Sequence, residues 1–144
     1  MRTRLSGRLN RELARTTGLS EADFEILVAL SESSEEAVRV LALRCGLEWE
    51  KSRLSHQLRR MEARGLVVRE DYAEDNRGSV VRATDAGRKL AAEGRHHYEQ
   101  AVRRYVTDVL TADQMEALGM IAEAVLSQLQ ERHEPQAEAQ RDAQ

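Results

Sequence analysis

Between residues 51 and 69 six basic side chains, Lys51, Arg53, Arg59, Arg60, Arg64 and Arg69, stand against one acid, Glu62, a local charge of +5. The same stretch carries Leu54, Leu58 and Met61 at spacings of four and three, which puts these apolar side chains on one face of a helix. At about 100° per residue, Ser52, His56, Arg59 and Ala63 lie opposite them, with Arg53 and Arg60 on the flank. A guanidinium forks onto guanine O6 and N7, hydroxyl and imidazole groups donate to bases or phosphates, and a lysine neutralises phosphate charge. The chemistry on offer is recognition of a nucleic acid. Solvated basic faces are common on amphipathic helices, so the neighbouring elements must decide between the two readings.

Those neighbours come in a telling order. A brief helix with Val38, Leu41 and Ala42 inward is expected to stop at Gly46, and Gly46-Leu47-Glu48 then forms the turn into the basic helix. Cys45, at the end of that brief helix, reads as a small buried hydrophobe. Gly65 ends the basic helix, and LVVRE and SVVRA follow as two short strands around the polar loop YAEDNRG. At the loop tip Arg77 would reach a minor groove or its phosphates, with Asp75 holding the guanidinium by a charged hydrogen bond. Helix, glycine turn, basic helix, strand, loop and strand predict a winged helix-turn-helix in a mainly α chain with a small two- or three-stranded β-wing.

Helices flank this core. Leu5, Leu9 and Leu13 predict a first helix over about residues 3–15 with a stop near Gly18. Ser20 caps a second helix whose stripe is Phe24, Leu27 and Leu30, widened by Ile26 and Val28 and ended by SESSEE. Thr84 caps a long helix to about residue 109, with Leu90, Ala91, Ala101, Val102, Tyr105 and Val109 inward and Gly94 weakening its continuity. Thr111 and Gln114 stand in capping-box spacing before a last helix striped with Met115, Leu118, Ile121 or Ala122, Val125 and Leu129. The tail HEPQAEAQRDAQ holds no core-forming residues and is expected to be disordered.

Whole-chain properties narrow the function classes. The chain has 144 residues, 33% charged and 3% aromatic, with one Pro, which favours long charge-laced helices over a sandwich or barrel. A net charge of −3 offers no global attraction to nucleic acid; from residue 111 onward the balance is −5, so the centre is basic and the tail acidic. The single cysteine excludes an intrachain disulfide and suits a reducing cytoplasm, and no apolar run reaches membrane-spanning length. There is no glycine-rich phosphate loop, no nucleophile elbow and no apolar carboxylate pair, so neither an enzyme nor a bound cofactor is expected. His96 and His97 point about 100° apart on a helix and do not share a metal easily, so no metal site is expected either.

GLEWEKSRLSHQLRRMEARGLVVRE, DNRG and ATDAGRKL resemble the DNA-binding core of the MarR family of bacterial regulators, closely over residues 19–90. That resemblance implies a homodimer whose first and last helices interlock and whose two winged domains meet successive major grooves of a palindromic operator. It further implies a cleft for small phenolic or other organic effectors. Carried over residue by residue, Ser52, Arg53, Ser55, His56 and Arg60 match recognition-helix contacts, with Lys51 and Arg59 beside them, and Asp75 and Arg77 match the wing pair. Trp49, His97 and Tyr98 are candidates for the effector cleft, although a residue such as Trp49 or Tyr72 is more often a packing or hinge residue than a ligand contact. Trp49 also departs from the family, which usually has a small polar cap there.

The expected organisation is then a dimerisation helix over residues 1–18, the winged domain over 19–84, the long and final helices over 85–132 and a tail from 133. The expected activity is that of a ligand-responsive repressor in the cytoplasm. The alternative is a winged-helix adaptor that binds protein without reading DNA sequence.

Overall fold

In the computed structural model, which describes residues 2–71 and 78–131, Leu9 and Leu13 are buried on one face of α1 (Arg2–Thr17), and Leu5 is half-buried on it. α2 (Glu21–Glu32) opens with a reciprocal cap: the Asp23 N–H donates to the Ser20 hydroxyl, and the Ser20 N–H donates to the Asp23 carboxylate. Ile26, Leu27 and Leu30 bury the inner face of this helix.

The next segment departs from expectation. Val38 and Arg39 form a strand, β1 (Val38–Arg39), so α3 (Val40–Leu47) starts two residues later than its apolar pattern suggested. The face that turns inward is also a different one: Leu43 is buried with Val40 and Leu47 packed around it, whereas Leu41 and Ala42 face out. Cys45, four residues after Leu41 on that outer side, is exposed as well. Gly46 stays inside the helix; the left-handed residue is Glu48, at φ 56°, where the Glu48 and Trp49 N–H groups donate to the Cys45 and Arg44 carbonyls. The turn into the next helix is therefore Glu48-Trp49-Glu50.

α4 (Lys51–Ala63) buries Leu54, Leu58 and Met61 as expected. β2 (Val67–Asp71) and β3 (Ser79–Ala83) pair antiparallel from Val67 opposite Ala83 to Asp71 opposite Ser79, and β1 adds to the other edge of β3 through Val38 opposite Val81. The sheet order is β1-β3-β2. Tyr72, Asp75, Arg77 and the tail beyond residue 131 lie outside the described residues.

Thr84 caps α5 (Asp85–Tyr105): its hydroxyl accepts from the Gly87 N–H and donates to the Gly65 carbonyl, which fastens the helix start to the end of α4. Gly94 does not interrupt this helix. A Cβ there would lie 2.9 Å from a Phe24 ring carbon, so the glycine lets α5 approach α2. α5 ends at Tyr105 rather than near residue 109; a 3-10 turn (Thr107–Val109) follows, and Val109 is 67% exposed instead of inward.

The chain divides into two compact units, residues 1–102 and 103–144. In the second, the Thr111 hydroxyl accepts from the Gln114 N–H, and the Gln114 side chain accepts from the Thr111 N–H, opening α6 (Ala112–Glu131) as the capping-box spacing predicts. Leu118, Ile121, Val125 and Leu129 form an apolar face on α6 that is exposed, with Met120 and Leu126 beside it.

The first unit is locked by one buried charge. Asp23 is 1% exposed, and its carboxylate accepts from Gln57 Nε2 at 2.6 Å, from Arg64 Nη1 at 2.7 Å and from the Ser20 N–H at 2.9 Å. Arg64 also donates to the Gly18 carbonyl at 3.0 Å. Burial pushes the Asp23 pKa up, but the Ser20 N–H and hydroxyl and the Arg64 guanidinium outweigh it and hold the carboxyl below its ordinary value.

A carboxyl depressed in the fold contributes stability above its unfolded pKa of about 3.9 and loses it as the pH falls through the folded value. Asp23→Asn should therefore lower stability by about 3 kcal/mol at neutral pH, with the deficit shrinking in acid, as read by urea denaturation at pH 7 and pH 3. Gly87→Ala should cost about 2 kcal/mol in the same assay, because its Cβ would meet the Leu66 carbonyl oxygen.

Candidate nucleic-acid interface

α4 leaves the first unit with Lys51, Ser52, Arg53, His56, Arg59 and Arg60 exposed on its outer side and Ser55 half-buried. The helix thus brings together all seven residues expected of it. Its inner side holds Leu54, Leu58 and Met61 and also Gln57, which the apolar pattern did not single out. With four inward anchors the helix has little freedom to roll, so the direction of its polar face is set by the core.

The basic residues do not all serve that face. Arg64, counted with the basic cluster in the sequence, turns back onto Asp23 and Gly18. Its charge compensates a buried carboxylate and is removed from the outward field. Glu62, the one acid of the stretch, accepts the Arg69 N–H at 3.2 Å and so ties the end of α4 to β2. Lys51, Arg53, Arg59 and Arg60 pair with no described carboxylate. Among the described residues, four cations of α4 therefore remain for an outside anion.

The start of α4 adds to their field. Its N-cap, Glu50, makes no side-chain capping bond, so the first-turn amides are left for solvent or a ligand at the positive end of the helix dipole. Trp49, just before the cap, is 8% exposed and belongs to the hydrophobic core. The Arg53 guanidinium carbon lies 3.7 Å from the centre of its ring. Beside the helix, β2 and β3 carry the wing to Asp71 and Ser79, with an Arg82–Glu70 ion pair of 3.7 Å across the two strands.

The three effector candidates are not brought together. Trp49 is a core residue. Tyr98 borders a cavity of about 270 Å³ with Leu9, Leu13, Phe24 and Val28, its ring 5.9 Å from that of Phe24. His97 is half-buried and borders neither this cavity nor a second one of about 400 Å³, which its neighbour His96 lines with Leu27, Arg88, Ala91 and Arg95. Among the described residues no group of three His, Cys, Asp or Glu side chains is placed to hold a metal ion.

Asp23 and Gln57 are what sequence reasoning missed. The Ser20-x-x-Asp23 spacing signals a capping box and could have been read; the reach of Arg64 across 41 residues to the same carboxylate has no local signature.

No family model matches the chain. An uncharacterized HTH-type transcriptional regulator of Bacillus subtilis is 24% identical over 106 residues, 74% of this chain and 63% of that protein, so the match spans less than two thirds of that relative. Solved structures are more alike. AbsC, a MarR family transcriptional regulator from Streptomyces coelicolor, is 33% identical over 90% of this chain and 86% of its own, with a TM-score of 0.76. A second MarR family regulator from the same organism, solved in complex with DNA, is 36% identical over 89% of this chain and 80% of its own, with a TM-score of 0.75. The multiple antibiotic resistance repressor MarR, at 23% identity and a TM-score of 0.70, shares the fold. With a third of its residues identical to such regulators over nearly its whole length, the chain belongs to the MarR family.

Proposed function

We propose that this protein is a homodimeric, sequence-specific DNA-binding transcriptional regulator that lays α4 in the major groove of a palindromic operator and releases it in response to a small organic effector. One observation carries the DNA reading: Lys51, Arg53, Arg59 and Arg60 project without a described acidic partner from a helix that the core and the Asp23 cluster hold in a fixed orientation. That a MarR relative 36% identical to this chain was solved in complex with DNA supports a DNA-binding role. Ser52, Ser55 and His56 supply the hydrogen-bonding groups between these cations, and the wing residues Asp75 and Arg77 are assigned to the adjacent minor groove from the sequence alone.

Homodimerisation follows from α6, whose exposed Leu118, Ile121, Val125 and Leu129 form an apolar face that water does not favour and a second copy would cover. For the effector, the cavity beside Tyr98 sets Leu9, Leu13, Phe24 and Val28 against Asn10, Glu21 and Glu25, which suits a small organic body with a polar group. Effector binding shifts operator affinity only through its preference for one spacing of the two winged domains, and repression is the sign we assign to the unliganded state. A regulator of this kind works where the DNA is, and we place it in the cytoplasm; no helix among the described residues is long and apolar enough to cross a membrane.

Fluorescence anisotropy with a labelled duplex at rising salt tests the reading. About four phosphate contacts per dimer correspond to a roughly 100-fold loss of affinity between about 50 and 200 mM salt. A flat response would instead favour a protein-binding adaptor. With the operator selected from a random pool, Arg60→Ala should relax the preference at one base of each half-site by about 1–3 kcal/mol, measured by competition with single-base variants.

A further inference from the structure

Trp49 is the chain's only tryptophan and stands directly before the N-cap of α4. Two of its surroundings bear on what it does. Counting from the N-cap Glu50, Trp49 precedes the cap and Leu54 is the fourth helical residue, the two positions of a hydrophobic staple; both are buried in the same core cluster. The indole is thereby fixed, and it fixes the angle at which the chain enters α4. The Arg53 guanidinium then rests on the indole at 3.7 Å, while the Arg53 side chain remains exposed on the outer side of the helix.

A free arginine at a protein surface samples many rotamers and must lose that freedom to fork onto a base. Among the described residues, Arg53 is the one outward cation of α4 with its guanidinium laid on an aromatic ring. Stacking uses the face of the guanidinium plane and leaves the N–H groups in its edge to donate outward. Lys51 and Arg59 have no such support among the described residues and suit phosphate contacts that tolerate movement.

Resting on the DNA-binding reading above, we propose that Trp49 is a positioning residue for specificity: its buried indole holds the Arg53 guanidinium in the orientation that reads a guanine edge in the operator half-site. Trp49 itself touches no base. Sequence preference at that base pair therefore depends on the pair of residues, whereas general affinity for DNA depends on Lys51 and Arg59.

The test uses the full-length protein, a duplex pool randomised around the operator, and the variants Arg53→Gln, Trp49→Phe, Trp49→Leu and Trp49→Leu/Arg53→Gln. Arg53→Gln should lose preference at one base pair of each half-site by about fivefold or more, the lower end expected for a forked arginine–guanine contact. Trp49→Leu should lose preference at the same base pair by about two- to fivefold, as a lost cation–π contact of this strength implies. The double variant should be no worse than Arg53→Gln, and Trp49→Phe, which keeps an aromatic face, should retain part of the preference. A purely structural Trp49 would lower thermal stability and leave the base profile unchanged, and that result overturns the proposal, as do losses that add in the double variant.

Tryptophan emission provides an arm independent of the folding of Trp49→Leu. Operator binding should alter the emission of the wild-type protein, and Arg53→Gln should change the emission of the free protein and diminish the response to DNA. Identical emission and response in wild type and Arg53→Gln overturn the proposal. Failure of the wild type to bind any duplex would sink the DNA-binding reading instead, which is a separate outcome.

Discussion

A carboxylate taken out of water must be compensated, and the arrangement of the first unit depends on how Asp23 is compensated. The three groups that satisfy it come from the α1–α2 turn, the middle of α4 and the end of α4. None can leave without stranding a buried charge, whose desolvation costs more than an ordinary hydrogen bond returns. Apolar packing supplies most of the driving force for folding, but it is tolerant of small rotations. The directed bonds to Asp23 are not, and they set the rotation and axial position of α4 against α2.

That constraint decides which charges the surrounding solvent meets. The chain is acidic overall, and its basic stretch looks stronger in sequence than it is in space, because Arg64 answers Asp23. Glu62, which would have weakened the same face, is turned to the backbone of β2. The result is a row of four outward cations from the first to the last turn of α4, the first two beside a helix start with no side-chain cap. For an acidic protein approaching a polyanion, local concentration of positive charge matters more than net charge, since screening confines the interaction to about 8 Å at physiological salt.

Two packing details support this geometry from the far side. Gly87 and Gly94 let α5 lie against Leu66 and Phe24 closer than any side chain would permit, so the long helix is seated on the same core that orients α4. Thr84 bonds both to Gly65, at the end of α4, and to Gly87, in the first turn of α5. A shift of α5 in this unit therefore bears directly on the end of α4.

The sequence by itself determined the element order, the inward face of α4, the caps at Ser20, Thr84 and Thr111, and the position of the wing strands. Each of these is local: apolar spacing, a capping side chain or a turn residue acts within one or two helical turns. It misplaced the burial of Leu41 and Cys45. It also misplaced the start of α3, because Val38 is drawn into a strand by Val81, 43 positions away, and no local pattern records that pairing. The same limit hid the fate of Arg64. A run of basic residues states how much charge is present, whereas tertiary contacts decide which of it is compensated inside; only the fold, by burying Asp23 within reach, separated the arginine that holds the helix from those that face outward.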